Sequence, residues 1–217
     1  MWRGVITISS RSAGIVAVML VMPYGPIAAQ ASAGVPPRGP DTADVQFMQG
    51  MIAHHAQALA MVALIPDHTT RPELQAIGLR IKISQQDEIA FMQRWLRDRQ
   101  QVVPTVDSGN VAHMPGMQMA GGSMPGMTMM MPGMMTPEQM AQLRAAKGAA
   151  FDRLFLEGMI RHHEGALTMV KNLLSTPGAA QAPEVFTFAA DADADQRAEI
   201  QRMRSVLTAL ADGATKS

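Results

Sequence analysis

The 217-residue chain contains no cysteine, a single tyrosine and two tryptophans, and its 18 basic side chains are balanced by 18 acidic ones. Lack of cysteine excludes a disulfide framework, and a soft-metal site would have to use a sulfur other than a thiol. Aromatics at 4% leave no platform for stacked bases, and a net charge of zero leaves no basic face to follow a phosphate backbone, so nucleic acid is not expected as a partner. No Ser-His-Asp order, glycine-rich phosphate loop or Walker-type signature occurs. With no catalytic constellation visible, the chain is not expected to be an enzyme.

Long apolar runs are also scarce. Arg3 and Arg11 precede the run Ala13–Met22, which Pro23 ends, and small residues at Ala29, Ala31 and Ala33 follow. This is the layout of an export signal, too short for a spanning helix, so residues 1–30 are expected to be removed. No membrane span is expected after that cleavage, and the mature protein is placed in the periplasm or outside the cell.

What the chain does have is methionine, 21 residues of it, and a repeated motif. Residues 44–62, DVQFMQGMIAHHAQALAMV, align without a gap to 152–170, DRLFLEGMIRHHEGALTMV. Farther on, Gln85, Glu88, Ile89, Met92 and Leu96 align with Gln196, Glu199, Ile200, Met203 and Leu207. Apolar positions at spacings of three and four predict helices over 42–65, 72–101, 136–174 (loosened near Gly148) and 183–211. Thr136-Pro-Glu-Gln139 is a capping box, and Pro72 and Pro183 suit first-turn positions. Each half is a helical hairpin that cannot bury its apolar stripe alone, and two such hairpins make a four-helix bundle. The expectation is an all-α fold: a first hairpin over 31–103, a flexible linker over 104–135 and a second hairpin over 136–213.

On the first helix Val45, Met48, Ile52, His55, Leu59 and Val62 form one seam, and Phe47, Met51, His54, Ala58 and Met61 the next. The second half repeats both seams, so His54, His55, His162 and His163 all point inward or to the edge of the apolar face. A buried imidazole needs a partner, and four of them in duplicate point to a metal. Met51 lies three residues before His54 and Met159 three before His162, so each thioether shares a helix face with its histidines. Imidazole with thioether favours Cu(I), and by extension Ag(I). A di-iron site would want Glu-x-x-His, but Glu157 stands five before His162 and Gln49 replaces it in the first half; the zinc-protease spacing is likewise missing. Glu88 and Glu199 are either acceptors that orient the imidazoles or ordinary interhelical carboxylates. Met61, Met92, Met169 and Met203 are assigned to core packing, His68 to solvent beside a turn, and Asp191, Asp193 and Asp195 to the wet side of the last helix.

Between the halves, Met-Pro-Gly-Met occurs at Met114, Met124 and Met131. The tract offers His113, Met114, Met117, Met119, Met124, Met127 and Met129 as further soft donors, paired as Met-x-Met and brought together where the chain turns at Pro-Gly. Neutral thioethers bind without losing a proton, which suits capture and hand-over across a wide pH range.

The segments FMQGMIAHHAQALAMV and FLEGMIRHHEGALTMV, followed by QQDEIAFMQRWL and QRAEIQRMRSVL, resemble the bacterial secreted family catalogued as domain of unknown function 305. The resemblance implies a ferritin-like bundle of two similar hairpins and periplasmic binding of copper or silver, and it carries over to Met51, His54, His55, Met159, His162 and His163. Trp95 has no counterpart in the second half. The expected function is an exported Cu(I)- and Ag(I)-binding protein that buffers, sequesters or relays copper, with a copper exporter or periplasmic copper chaperone as its protein partner. The alternatives are a metal-dependent oxidoreductase on the same bundle and a Met-rich interaction module.

Overall fold

Asp41 starts the first helix by accepting the Ala43 amide at 2.8 Å, and helix α1 runs Thr42–Val62. The computed structural model describes residues 41–105 and 131–214. The helix expected to reach residue 65 stops three residues sooner. Pro66 does not end it but sits in the opening turn of a one-turn helix, α2 (Ile65–His68), where a missing amide costs nothing. Helix α3 spans Pro72–Asp98. The capping box forms as predicted, with Thr136 Oγ1 taking the Gln139 amide at 3.2 Å and Gln139 Oε1 the Thr136 amide at 2.9 Å. The helix it opens, α4 (Pro137–Ala145), does not continue to residue 174 as expected. Ala146 is extended and Gly148 takes φ +55°, a left-handed value that glycine tolerates, so α5 (Gly148–Ser175) begins afresh. Helix α6 covers Pro183–Ala214.

His68 corrects another expectation. It is not simply solvated: Nδ1 lies 2.7 Å from the Leu64 carbonyl oxygen and Nε2 2.9 Å from the Arg144 carbonyl oxygen, and its ring lies 4.9 Å from Phe151. It thereby ties α2 to the last turn of α4. A further correction concerns membrane spans. Thr42–His68 is long and apolar enough to cross a bilayer by length and composition, yet 72% of its most apolar window is buried, as for a core helix.

Helices α1 and α3 form one hairpin, α5 and α6 the other, and the hairpins meet chiefly along α1 and α5. The fold is an all-α, ferritin-like four-helix bundle. Its core is in two parts. The first contains Met48, Met51 and Ile52 from the start of α1, Met92 and Trp95 from α3, Met169 and Val170 from the end of α5, and Phe188 from α6. The second contains Ala58, Met61 and Val62 from the end of α1, Leu74 and Ile81 from α3, Phe155 and Met159 from the start of α5, and Met203 from α6. The beginning of α1 thus packs on the end of α5, so the two motif helices run antiparallel. Both half-cores draw on all four long helices.

Two buried aspartates, equivalent in the repeat, lock the hairpins together. Asp44 on α1 accepts the Ala180 amide at 2.7 Å in the turn of the second hairpin, and Asp152 on α5 pairs at 2.7 Å with Arg71 in the turn of the first. Each motif helix holds the other hairpin's turn, as an approximate twofold requires.

Candidate metal centre

Between the half-cores lies a polar layer, and every member has its equivalent in the other hairpin. His54 and His55 come from α1, His162 and His163 from α5, Gln85 and Glu88 from α3, Gln196 and Glu199 from α6. The four imidazoles are at most 1% exposed. Heptad-like spacing on two antiparallel helices makes this placement unavoidable: His54 and His162 fall at the midpoint of their helices, where the crossing brings them face to face. Their ring centroids are 3.8 Å apart.

Three of the four rings have an oriented nitrogen. His55 Nε2 meets Glu88 Oε2 at 2.5 Å and His163 Nε2 meets Glu199 Oε2 at 2.6 Å, so both carboxylates orient imidazoles. His54 Nε2 lies 3.0 Å from the Pro132 carbonyl oxygen. Each partner is an acceptor, so Nε2 carries the proton in all three rings. The Nδ1 atoms of His54, His55 and His163, and both ring nitrogens of His162, are buried with no hydrogen-bond partner among the described residues. Gln85 leaves both amide atoms in the same condition and Gln196 its oxygen. Buried polar atoms without partners cost about 1–3 kcal/mol each, so a layer this incomplete is built around something other than its own hydrogen bonds.

Burial pushes the His54 ring down to about 3, with the charge of His55 adding to the effect and the Pro132 carbonyl opposing it. His162 is held well below the usual histidine range, again first by burial and then by His54, His163 and His55, opposed by the His54 backbone carbonyl, whose approach to the ring falls short of hydrogen-bond geometry. Both are neutral at pH 7 and able to donate a lone pair to an ion. On the outer side of the layer Asp195 has its carboxyl pushed up by partial burial and by the charges of Glu88, Glu199 and Asp191. Negative charge gathered there favours the approach of a cation.

As donors, then, the residues suit a soft ion: neutral imidazole nitrogens that lack partners, flanked by thioethers. Met51 is buried in one half-core and Met159 in the other, on opposite sides of the histidines. Among the described residues no three His, Asp or Glu side chains converge on one point. The convergence is a pair, His54 with His162, so a third donor has to be of another type. His113, Met114, Met117, Met119, Met124, Met127 and Met129 lie outside the described residues.

The family follows from the extent of the motif. The model for DUF305, a domain of unknown function, matches residues 44–207. The chain belongs to the DUF305 family. A DUF305 fragment from Deinococcus radiodurans superposes with a TM-score of 0.62 at 29% identity, covering 78% of this chain and 97% of that one. A DUF305 protein from Streptomyces coelicolor, described as secreted, gives 0.63 at 25% identity, covering 78% and 94%. CopM in its Cu(I)-bound form gives 0.56 at 25% identity over 76% of this chain and 95% of its own, and its Cu(II)-bound form is similar at 27% identity. The protein L153 of Acanthamoeba polyphaga mimivirus is 39% identical over 56 residues, and the match spans 37% of that curated relative's length.

One part of this DUF305 centre was not anticipated. The stretch 104–135 was expected to be unpacked, but its last five residues, Met131–Met135, form a strap lodged against α1 and α5. Gln57 holds it by two hydrogen bonds, Nε2 to the Met135 carbonyl at 2.9 Å and Oε1 from the Met135 amide at 2.7 Å. Gly133, at φ +75°, passes so close to Gly165 that a methyl on either residue would strike backbone of the other's segment. A sequence signal for the strap existed. The two motifs agree at eleven of nineteen positions, and among their exchanges Gln57 aligns with Gly165, which supplies a clamp on α1 and a gap on α5. Gly165→Ala is accordingly expected to expel the strap and cost about 1–3 kcal/mol. Urea unfolding would measure the loss, and an unchanged midpoint would show that the close approach is not present in solution.

Proposed function

We propose that this chain is an exported copper-binding protein that takes up Cu(I), and by the same chemistry Ag(I), to buffer or relay it. One observation carries the reading: the bundle buries two equivalent pairs of histidines and, among the described residues, leaves five of their ring nitrogens without partners. The similarity to CopM, solved with Cu(I) and with Cu(II), supports the choice of metal. The arginine-flanked apolar run at the start of the chain and the secreted relative support export.

In this reading the ion is cargo. Neutral donors give it up without a change in protonation, which suits exchange better than permanent storage. His54 and His162, whose rings lie against each other, turn apart to admit it, while Glu88 and Glu199 keep the flanking imidazoles in their Nδ1-open tautomers. Anaerobic titration with Cu(I) against a chromogenic chelator tests the proposal. The protein is expected to withdraw copper from the chelator at stoichiometric concentration, and failure to compete would end the copper reading.

A further inference from the structure

Within the Met131–Met135 strap a single residue is buried. Met135 is 5% exposed, whereas the four residues before it are partly or fully open to solvent. The clamp from Gln57 grips the backbone of that same residue on both its amide and its carbonyl. Its side chain enters a space kept free by Gly158: the Met135 sulfur stands 3.0 Å from where a Cβ on Gly158 would be, and the Met61 methyl stands 3.4 Å from the same point. Gly158 is four residues before His162 on α5, hence on the same helix face one turn away, where Cβ positions are about 5–6 Å apart. The thioether therefore arrives one turn from a buried imidazole whose two nitrogens both lack hydrogen-bond partners among the described residues. From its other end, the strap gives the Pro132 carbonyl to His54, the ring that faces His162.

We propose that Met135 is a sulfur ligand to the ion held between His54 and His162, delivered by a strap that also fixes the tautomer of His54. The inference rests on the copper reading and assigns the third donor that the histidine pair lacks. Packing alone accounts poorly for the arrangement. Any apolar side chain would fill the space beside Gly158, and an apolar plug has no need of a backbone clamp or of a carbonyl aimed at a histidine. A flexible thioether one helical turn from His162 is the kind of soft donor that a pair of imidazoles needs to complete its set.

The test uses the full chain carrying ¹³C-labelled methionine methyl groups, titrated with silver nitrate and followed by NMR. The Met135 resonance is identified by its disappearance in Met135→Leu, a substitution that keeps the packing. The expected result is that the Met135 methyl shifts together with the His54 and His162 ring signals, and that its response vanishes in the His54→Ala/His162→Ala variant. In competition with a chelator, Met135→Leu is expected to weaken the tightest Cu(I) site about tenfold, and Met134→Leu to leave it nearly unchanged. An unmoved Met135 methyl beside shifting histidine rings would overturn the ligand assignment and leave the copper reading intact. A Met135 response that survives loss of both histidines would also overturn it. If neither the rings nor any methionine methyl respond, the copper reading itself fails.

Discussion

His162→Leu is expected to make the metal-free protein more stable and a far poorer copper binder. The imidazole of His162 is buried among two apolar half-cores with neither ring nitrogen hydrogen-bonded to a described residue. Removing an unpaired buried polar group recovers about 1–3 kcal/mol, against a repacking cost of less than about 1.5 kcal/mol for a side chain of similar size. A net gain of about 1–2 kcal/mol corresponds to a rise in Tm of roughly 2–8 °C in a chain of this length. Cu(I) affinity should fall by about a hundredfold or more, since loss of groups that merely orient a ligand already costs about 10–100-fold. Thermal melts in the presence of a chelator, set beside the Cu(I) competition, measure both effects. A melting temperature that falls instead would identify His162 as an ordinary core residue with partners of its own. Gains in stability on removing a functional group are the usual sign that the group is retained for its task.

Acid should unfold the metal-free protein well before its carboxylates alone would require. In the unfolded chain His54 and His162 both titrate near 6.5. In the fold, burial holds His54 down at about 3 and His162 well below its usual range. Between those limits the unfolded state binds more protons, so stability falls as the pH falls, by about 1.4 kcal/mol per pH unit for each histidine. The contribution is fully present above about pH 6.5, and going to about pH 4.5 removes roughly 5 kcal/mol from the pair. The carboxylates of Glu88 and Glu199 face His55 and His163 across the same layer. Asp44 and Asp195, whose carboxyls are held above their usual range first by burial, offset part of the loss toward the acid end. Urea midpoints measured with chelator present should drop steadily from neutral pH to about pH 4.5, and copper should restore them by binding only the folded state. A flat profile would show that the two rings are not buried as neutral groups.

Most of the bundle was legible because its signals are local and periodic. The spacings of Val45, Met48, Ile52 and Leu59, the capping box at Thr136 and the doubled Met-Ile-x-His-His motif each act over a few residues, and all three reappear in the fold. The break after Ala145 was harder to read, since an alanine-rich stretch favours a helix, whereas extended backbone at Ala146 and a left-handed Gly148 divide it. Glu88 and Glu199 could be aligned, but whether a carboxylate meets an imidazole depends on the crossing of two helices, which no one-dimensional period contains. Gln85 and Gln196 were aligned as well, and nothing in their spacing said that their amides would be buried in the same layer. The strap was hidden for a different reason: Met135 is chemically identical to its neighbours in the tract, and only Gln57 and Gly165, far away in the chain, single it out.

Because both half-cores take side chains from all four long helices, neither hairpin owns a complete interior. A chain cut between the hairpins would give two fragments that share one folding transition, each exposing two incomplete apolar faces until it meets the other. The histidine stratum would then be assembled by association, as a seam closed from both sides. Whatever ion it carries would bridge the two fragments and hold them together.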